Sequence, residues 1–198
     1  MTVLDKIAAD VIRQNAHLLK EKKFHELLNW WETSSEFDVD QAGEIIGKMC
    51  EYMYKAGIPF MHYLEFLPAD SFQGADVPSI NVPKNIDHVE YWAMSGCTAT
   101  RIVFQGDLDR LEEGVMSYCE NLKEVVFKGK VGCFCESCFE GSSQLKDIYY
   151  SDSIANFDEI VGVEEVYKNL PEVLIHCKDG TITPEDRQEW LNSLNGTN

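Results

Sequence analysis

The sequence predicts an α+β protein: a short solenoid of four to five strands, with a helical cap before it and a capping helix after it. The first observation is a fixed period, because one apolar position recurs at intervals of 22, 22 and 23 residues, at Phe72, Met94, Met116 and Phe139. A small or compact residue precedes each of them, and a strand-like apolar pair follows. Such a period is typical of solenoids, whose units bury their apolar sides by stacking on one another.

The second observation is the alternation within each predicted strand. The inward-facing residues of the four repeats are the pairs Ile80/Val82, Ile102/Phe104, Val125/Phe127 and Ile148/Tyr150. A second apolar pair with spacing i, i+3 follows most of them, as in Leu108 and Leu111. The period is lost over 151–170, and Val173 with Ile175 then predicts a last strand that closes the sheet.

The third observation is the helical pattern at both ends. Apolar residues at helical spacing predict one or two helices over 3–31, which end near Trp30 and Trp31, and another over 39–56. Gly57 suits the end of that helix. We therefore divide the chain into a helical cap (1–62), the solenoid (63–182) and a C-terminal capping helix with its tail (183–198), which begins at Thr183.

The repeats as they stand, "SGCTATRIVFQGDLDRL", "SYCENLKEVVFKGKV" and "CFEGSSQLKDIYY", resemble the BspA-like class of leucine-rich repeats. In that class an Ala-Phe pair, a Gly-Cys or Asn-Cys, a Leu and a short Ile-x-Ile strand recur about every 23 residues. The resemblance covers 67–182, and the closing "LIHCKDGTI" is similar to the end of such arrays. It implies the fold and a binding scaffold whose partners differ from protein to protein.

Charge excludes two kinds of partner. The chain has a net charge of −17, and about −14 of it lies on residues 63–198. Such a surface repels phosphates, so we expect no direct binding to nucleic acid or to a membrane. No apolar run is long enough to span a bilayer, and the chain opens with a charged helical pattern rather than a signal peptide. We expect a soluble, cytoplasmic protein.

The residues that could carry chemistry are few. Cys133, Cys135 and Cys138 form a C-x-C-x2-C pattern that Cys177 or His176 could complete as a zinc site. Cys138 also falls at a repeat position that other repeats fill with core residues, which favours a buried thiol. The five histidines lie in no motif, and no nucleotide or nucleophile fingerprint is present. We predict no metal, no cofactor and no enzymatic activity, and seven reduced thiols.

Strand alternation predicts a binding face. The residues between the inward pairs point out of the sheet in register, and they are Asn81, Val103, Val126, Tyr149 and Leu174. Polar residues flank them, namely Arg101, Gln105, Glu124, Lys128 and Asp147. An exposed apolar stripe with a polar rim is typical of a protein contact site. The alternative is that the N-terminal helices or residues 151–170 fold over this face.

Acidic residues predict a second face beside the i, i+3 pairs. This acidic ridge consists of Asp87, Glu90, Asp109, Glu112, Glu113 and Glu136. The leading hypothesis is a module that binds another protein through the strand face. The alternative is an acidic inhibitor or DNA mimic, of the kind that a phage or mobile element encodes, which uses the ridge to occupy a basic or nucleic-acid-binding protein.

Overall fold

The computed structural model describes residues 3–21, 23–24, 26–27 and 39–195. The predicted helix end at Trp30 and Trp31 lies outside these residues. In the described part, the chain is a mixed α/β protein whose largest sheet is parallel except at its last strand.

Two parallel sheets organise the repeats. The strands are β1 (Ser79–Val82), β2 (His88–Val89), β3 (Arg101–Phe104), β4 (Arg110–Leu111), β5 (Glu124–Phe127), β6 (Asp147–Tyr150), β7 (Leu174–Cys177) and β8 (Gly180–Ile182). The larger sheet has the order β1-β3-β5-β6-β7-β8, in which only β8 is antiparallel to its neighbour. The predicted last strand therefore does not close the sheet, because the chain turns back after β7 and adds β8 as a sixth strand.

Strands β1, β3, β5 and β6 align as the repeat period predicts. Ile80, Ile102, Val125 and Ile148 lie opposite one another, and all four side chains are fully buried. The rings of Phe104 and Phe127 stack in the next inward row, with centroids 5.2 Å apart. The apolar alternation of the repeats therefore builds one continuous core.

The predicted alignment of β7 is wrong by two residues. Ile175 pairs with Ile148, so Ile175 and Cys177 occupy the inward positions of this strand. Leu174 consequently lies opposite Asp147, and His176 lies opposite Tyr149. Both alignments keep Val173 and Ile175 buried. Alternation alone could not choose between them, because two short helices replace the repeat turn before β7 and the period no longer applies.

A second, smaller sheet accounts for the i, i+3 apolar pairs. Strands β2 and β4 pair in parallel, and isolated bridges extend the same arrangement, as between Leu111 and Phe134 and between Cys133 and Val161. The ring of Phe134 contacts that of Phe127, with centroids 5.7 Å apart, and so links the two sheets across the core. The sequence pattern indicated burial here but did not identify strands.

Two positions in each repeat's turn have left-handed backbone. The first is held by Asp70, Trp92, Gly114 and Ser137, and the second by Gly74, Gly96, Tyr118 and Gly141. Four of these eight residues are glycines, which adopt positive φ without steric penalty. Trp92 and Tyr118 are bulky residues in a conformation that such residues rarely adopt.

Helices lie at both ends of the sheets. They are α1 (Val3–Gln14), α2 (Ala16–Lys20), α3 (Val39–Lys55), α4 (Ile154–Asp158), α5 (Val163–Asn169) and α6 (Pro184–Asn195), with a 3-10 helix at Phe60–Tyr63. Helix α1 packs on α3, and α3 contacts the first repeat, where the rings of Tyr54 and Phe72 meet edge to face at 5.5 Å. Helix α3 ends one residue before the predicted boundary.

The segment that replaces a fifth repeat packs on the core side. Phe157 of α4 is fully buried, and its ring lies 5.3 Å from that of Tyr150 and 6.1 Å from that of Phe134. Helix α6 begins as predicted: the Thr183 hydroxyl accepts from the amide of Asp186, whose carboxylate accepts from the amide of Thr183. Its buried Arg187 donates to the backbone carbonyls of Val173 and Pro171.

Candidate functional site

The outward side of the six-stranded sheet forms a surface of three rows, which we call the strand face. The central row consists of Asn81, Val103, Val126, Tyr149 and His176. The row before it consists of Ser79, Arg101, Glu124, Asp147 and Leu174. Gln105 and Lys128, which follow β3 and β5, begin the third row. In-register parallel strands hold these side chains at fixed spacing, so the face is defined by the fold rather than by a mobile loop.

The predicted apolar stripe is shorter than the sequence indicates. Tyr149 is 40% exposed and Val126 is half-buried, whereas Val103 is only 5% exposed. Polar contacts run past Val103 on both sides: Arg101 binds Glu124, and Gln105 binds Asn81. These contacts explain its burial. The accessible apolar part of the strand face is therefore centred on Val126 and Tyr149.

Paired polar groups border this apolar centre. The Arg101 guanidinium lies 2.6 Å from the Glu124 carboxylate. On the other side, the Lys128 ammonium donates to the Gln105 side chain at 2.9 Å, and the Gln105 amide donates to Asn81 at 2.5 Å. The pairs are exposed, so they contribute little to stability. They do hold long side chains in defined positions around the centre.

His176 completes the central row in place of Leu174. Its ring stacks on that of Tyr149, with centroids 4.6 Å apart and planes 21° from parallel. Its Nε2 lies 2.7 Å from Oδ1 of Asp147, and its Nδ1 lies 3.3 Å from the Thr181 hydroxyl. Sequence reasoning missed His176 because the register of β7 was wrong. Leu174 is exposed one row away, beside Asp147.

The described helices leave the strand face open at Tyr149 and Leu174, which stay exposed. Tyr54 of α3 reaches the edge of the sheet, where its hydroxyl accepts from the amide of Asn81 at 3.2 Å. Beside this contact lies a cavity of about 210 Å³, bordered by Pro59, Phe60 and Pro83. The N-terminal helical segment thus forms one border of the strand face.

The predicted acidic ridge is interrupted. Glu112 is 8% exposed, and its carboxylate lies 3.2 Å from the Arg110 guanidinium and 3.7 Å from Nε2 of His88. Glu90 is half-buried and accepts from the amide of Ala69 at 3.1 Å. The ridge residues that remain exposed are Asp87, Asp109, Glu113 and Glu136. Burial and the contact with Arg110 leave Glu112 little accessible surface, so it interrupts the predicted ridge.

The cysteines lie mainly in the interior. Cys138 is buried at the repeat position predicted for it, whereas Cys133 and Cys135 are half-buried with sulfurs 3.9 Å apart. Burial raises the pKa of Cys177 to about 12. Within the described ranges, no three His, Cys, Asp or Glu side chains are grouped as metal ligands. Among the same residues, none of the helices has the length and apolarity needed to cross a membrane.

Comparison with known families supports the resemblance seen in the repeats. The sequence model for the BspA type leucine rich repeat region, in six copies, matches residues 49–161. The match begins within α3 and ends before β7. No curated protein and no solved structure matches the chain. Since the family model covers more than half of the 198 residues, the protein belongs to the BspA-type leucine-rich repeat family.

Proposed function

We propose that the protein is a non-enzymatic binding module that recognises another protein through the strand face. Leucine-rich repeats commonly act as protein-interaction modules and are generally non-enzymatic. One observation carries the choice of surface: Tyr149 is an exposed aromatic residue in the middle of a rigid parallel sheet, stacked on His176 and next to Val126. The proposal requires no cofactor.

Tyr149 and its neighbours have the properties of residues that dominate the free energy of binding. Tyrosine is enriched among the few residues that dominate the free energy of protein association, usually near the middle of an interface. Stacking on His176 already restricts the Tyr149 ring, so association loses less side-chain entropy there. The surrounding Arg101–Glu124 and Lys128–Gln105 contacts provide the polar rim that such centres have.

The ends of the chain act in this proposal as caps of a short solenoid. Residues 1–62 would cover the open side of the first repeat, and residues 183–198 would cover the last one. Two contacts support this division: the edge-to-face rings of Tyr54 and Phe72, and the packing of Trp190 against Tyr167, with centroids 5.2 Å apart. Terminal repeats need such covers because their apolar sides otherwise meet water.

The acidic inhibitor or DNA mimic has less support. A mimic of a phosphate backbone needs a continuous row of exposed negative charge, and Glu112 interrupts the ridge. The dependence of partner binding on salt concentration distinguishes the two functions. Association driven by exposed charges weakens steeply as ionic strength rises, whereas association centred on Tyr149 and Val126 depends on it weakly.

The test begins with capture of the partner from the native host on the immobilised full-length protein. Its Kd is then measured for the wild type and for Asp87→Lys with Asp109→Lys, at several salt concentrations. Both residues are exposed, so their replacement should preserve the fold. We expect the reversal to slow association and to leave the dissociation rate nearly unchanged. Loss of binding in the reversed protein, with a steep salt dependence in the wild type, would favour the acidic alternative.

A further inference from the structure

A second exposed surface lies on the turns that follow the smaller sheet. Tyr91 and Trp92 are consecutive there and are 48% and 47% exposed, with ring centroids 6.3 Å apart. Trp92 has φ 51°, a left-handed backbone that strains a bulky residue. The fold does not need a tryptophan at this position, because Gly114 holds the same place in the next repeat.

The next repeat makes room for the Trp92 ring. A Cβ atom built on Gly114 would lie 2.2 Å from Cδ1 of Trp92, so any side chain there would displace the indole. The indole therefore lies against the backbone of the neighbouring repeat and stays half-exposed to solvent. The Trp92 ring is therefore held in a defined position at the surface.

In the next two repeats, carboxylate residues occupy the position that Tyr91 holds in its own repeat. The amide of Trp92 donates to the carbonyl of Glu113, and the amide of Gly114 donates to that of Glu136. Tyr91, Glu113 and Glu136 are thus equivalent residues of consecutive repeats, about 5 Å apart from one repeat to the next. Glu113 and Glu136 are both exposed, and neither forms an ion pair with another residue of the described ranges.

The charged residues within the turns are all acidic, and Arg110, which lies just before the third turn, pairs with Glu112. The turn segments are 67–75, 89–97, 111–119 and 134–142, which contain six carboxylates and none of the chain's 17 lysines and arginines. An aromatic face attracts a cation through its ring electrons, and an arginine guanidinium can also stack on it. Aromatic rings beside exposed carboxylates are complementary to a positively charged segment, and the neighbouring Arg110 already lies against Glu112 and Cys135 rather than against Glu113 or Glu136.

We propose that Tyr91, Trp92, Glu113 and Glu136, which we call the aromatic edge, bind an arginine-rich segment of a partner protein. One guanidinium stacks on the exposed face of Trp92, and the following basic side chains pair with Glu113 and Glu136. The aromatic edge is a different surface from the strand face. Binding at the aromatic edge does not depend on the proposed function of the strand face, because the residues of the aromatic edge lie beside the smaller sheet.

The test measures binding of fluorescein-labelled octa-arginine and octa-lysine to the full-length protein by fluorescence anisotropy, at about 0.15 M salt. Trp92→Gly removes the ring and keeps a residue suited to the left-handed backbone, as Gly114 does in the next repeat. We expect this change to weaken octa-arginine binding about fivefold. We also expect octa-lysine to bind more weakly than octa-arginine in the wild type and to respond less to the substitution.

Matched controls separate a built site from general attraction to an acidic protein. Glu113→Gln with Glu136→Gln should weaken octa-arginine binding, whereas Glu185→Gln with Glu189→Gln, on exposed positions of α6, alters net charge equally and should have a smaller effect. Tyr149→Ala should have no effect, which distinguishes failure of this proposal from failure of the strand-face proposal. Absence of octa-arginine binding, wild-type affinity in Trp92→Gly, or equal effects of the two double variants would overturn the proposal.

Discussion

Each repeat depends on single residues whose burial follows from their position in the pattern. Met116 is the central apolar residue of its turn and Val125 is the first inward residue of β5, and both are fully buried. Val126, the next residue, points to the strand face and is half-buried. Adjacent valines of one strand therefore make different contributions to stability.

Truncation of these residues tests that difference. Met116→Ala and Val125→Ala should each lower the free energy of unfolding by about 1 to 4 kcal/mol, because each loses buried area and leaves a cavity. Val126→Ala is the matched control and should lower it by less than Val125→Ala. Urea denaturation of the three variants measures these changes. Equal effects at positions 125 and 126 would contradict the inward and outward assignment.

The thiols provide a second test at this scale. Cys50, Cys97, Cys119 and Cys138 are buried, and burial raises the pKa of Cys50 to about 12. A disulfide reagent must reach the sulfur atom before it can react, so the burial of these thiols should make them resist the reagent at about pH 8 in the native protein. Reaction should be confined to the half-buried Cys133, Cys135 and Cys177, and all seven should react after denaturation. Fast labelling of Cys50 or Cys138, located by mass spectrometry, would show that the core opens there.

At the scale of elements, helix α3 packs against the first repeat at a glycine, Gly47. A Cβ on Gly47 would lie 2.5 Å from the backbone carbonyl oxygen of Gln73 and 3.3 Å from that of Asp70. The helix backbone thus approaches the first repeat turn closely, and a backbone group cannot move aside as a side chain can. Gly47 therefore marks a close approach between the backbone of α3 and the first repeat.

Substitution of Gly47 should reverse the usual effect of helix propensity. Gly→Ala within a helix ordinarily stabilises it by about 1 kcal/mol. Here we expect Gly47→Ala to destabilise the protein by about 1 to 3 kcal/mol, because the added methyl group forces α3 away from Gln73. Thermal and urea unfolding measure the change. A more stable Gly47→Ala protein would mean that α3 does not pack on the first repeat in this way.

The elements also show how far the sequence predicts the structure. The period aligns β1, β3, β5 and β6 correctly, because a fixed spacing and a two-residue alternation together determine register. Strand β7 follows two short helices rather than a repeat turn. The spacing before it therefore does not predict which of its residues pair with β6, and the position of His176 on the strand face was not predicted. The burial of Val103 depends on contacts between side chains of neighbouring strands, as between Gln105 and Asn81, which no single repeat reveals.

At the scale of the whole molecule, the strands of consecutive repeats pair side by side in the described residues, so the repeats form a stack. Leu67 and Phe72, on the apolar side of the first repeat, are fully buried. Residues that precede the repeat in the chain pack against this side. Phe60 and Phe72 lie with ring centroids 6.0 Å apart across this junction. Stability of such a stack depends on its terminal units, because an uncovered end exposes a continuous apolar surface.

Removal of residues 1–62 tests this dependence. We expect the fragment 63–198 to aggregate or unfold, because Phe72 and its neighbours lose their cover. Light scattering after size-exclusion chromatography, together with circular dichroism, distinguishes the outcomes, with the full-length chain as the control. A monomeric fragment with native spectra would identify the N-terminal helices as a separate domain rather than a cap.

The strand face is tested most directly by the affinity of the captured partner for Tyr149→Ala. The matched control is Tyr52→Ala, since Tyr52 is also an exposed tyrosine but lies on α3. We predict that Tyr149→Ala weakens binding by about 2 kcal/mol or more, with little change in stability, whereas Tyr52→Ala binds as the wild type does. Wild-type affinity in Tyr149→Ala, measured on a protein with unchanged unfolding free energy, would contradict binding through the strand face.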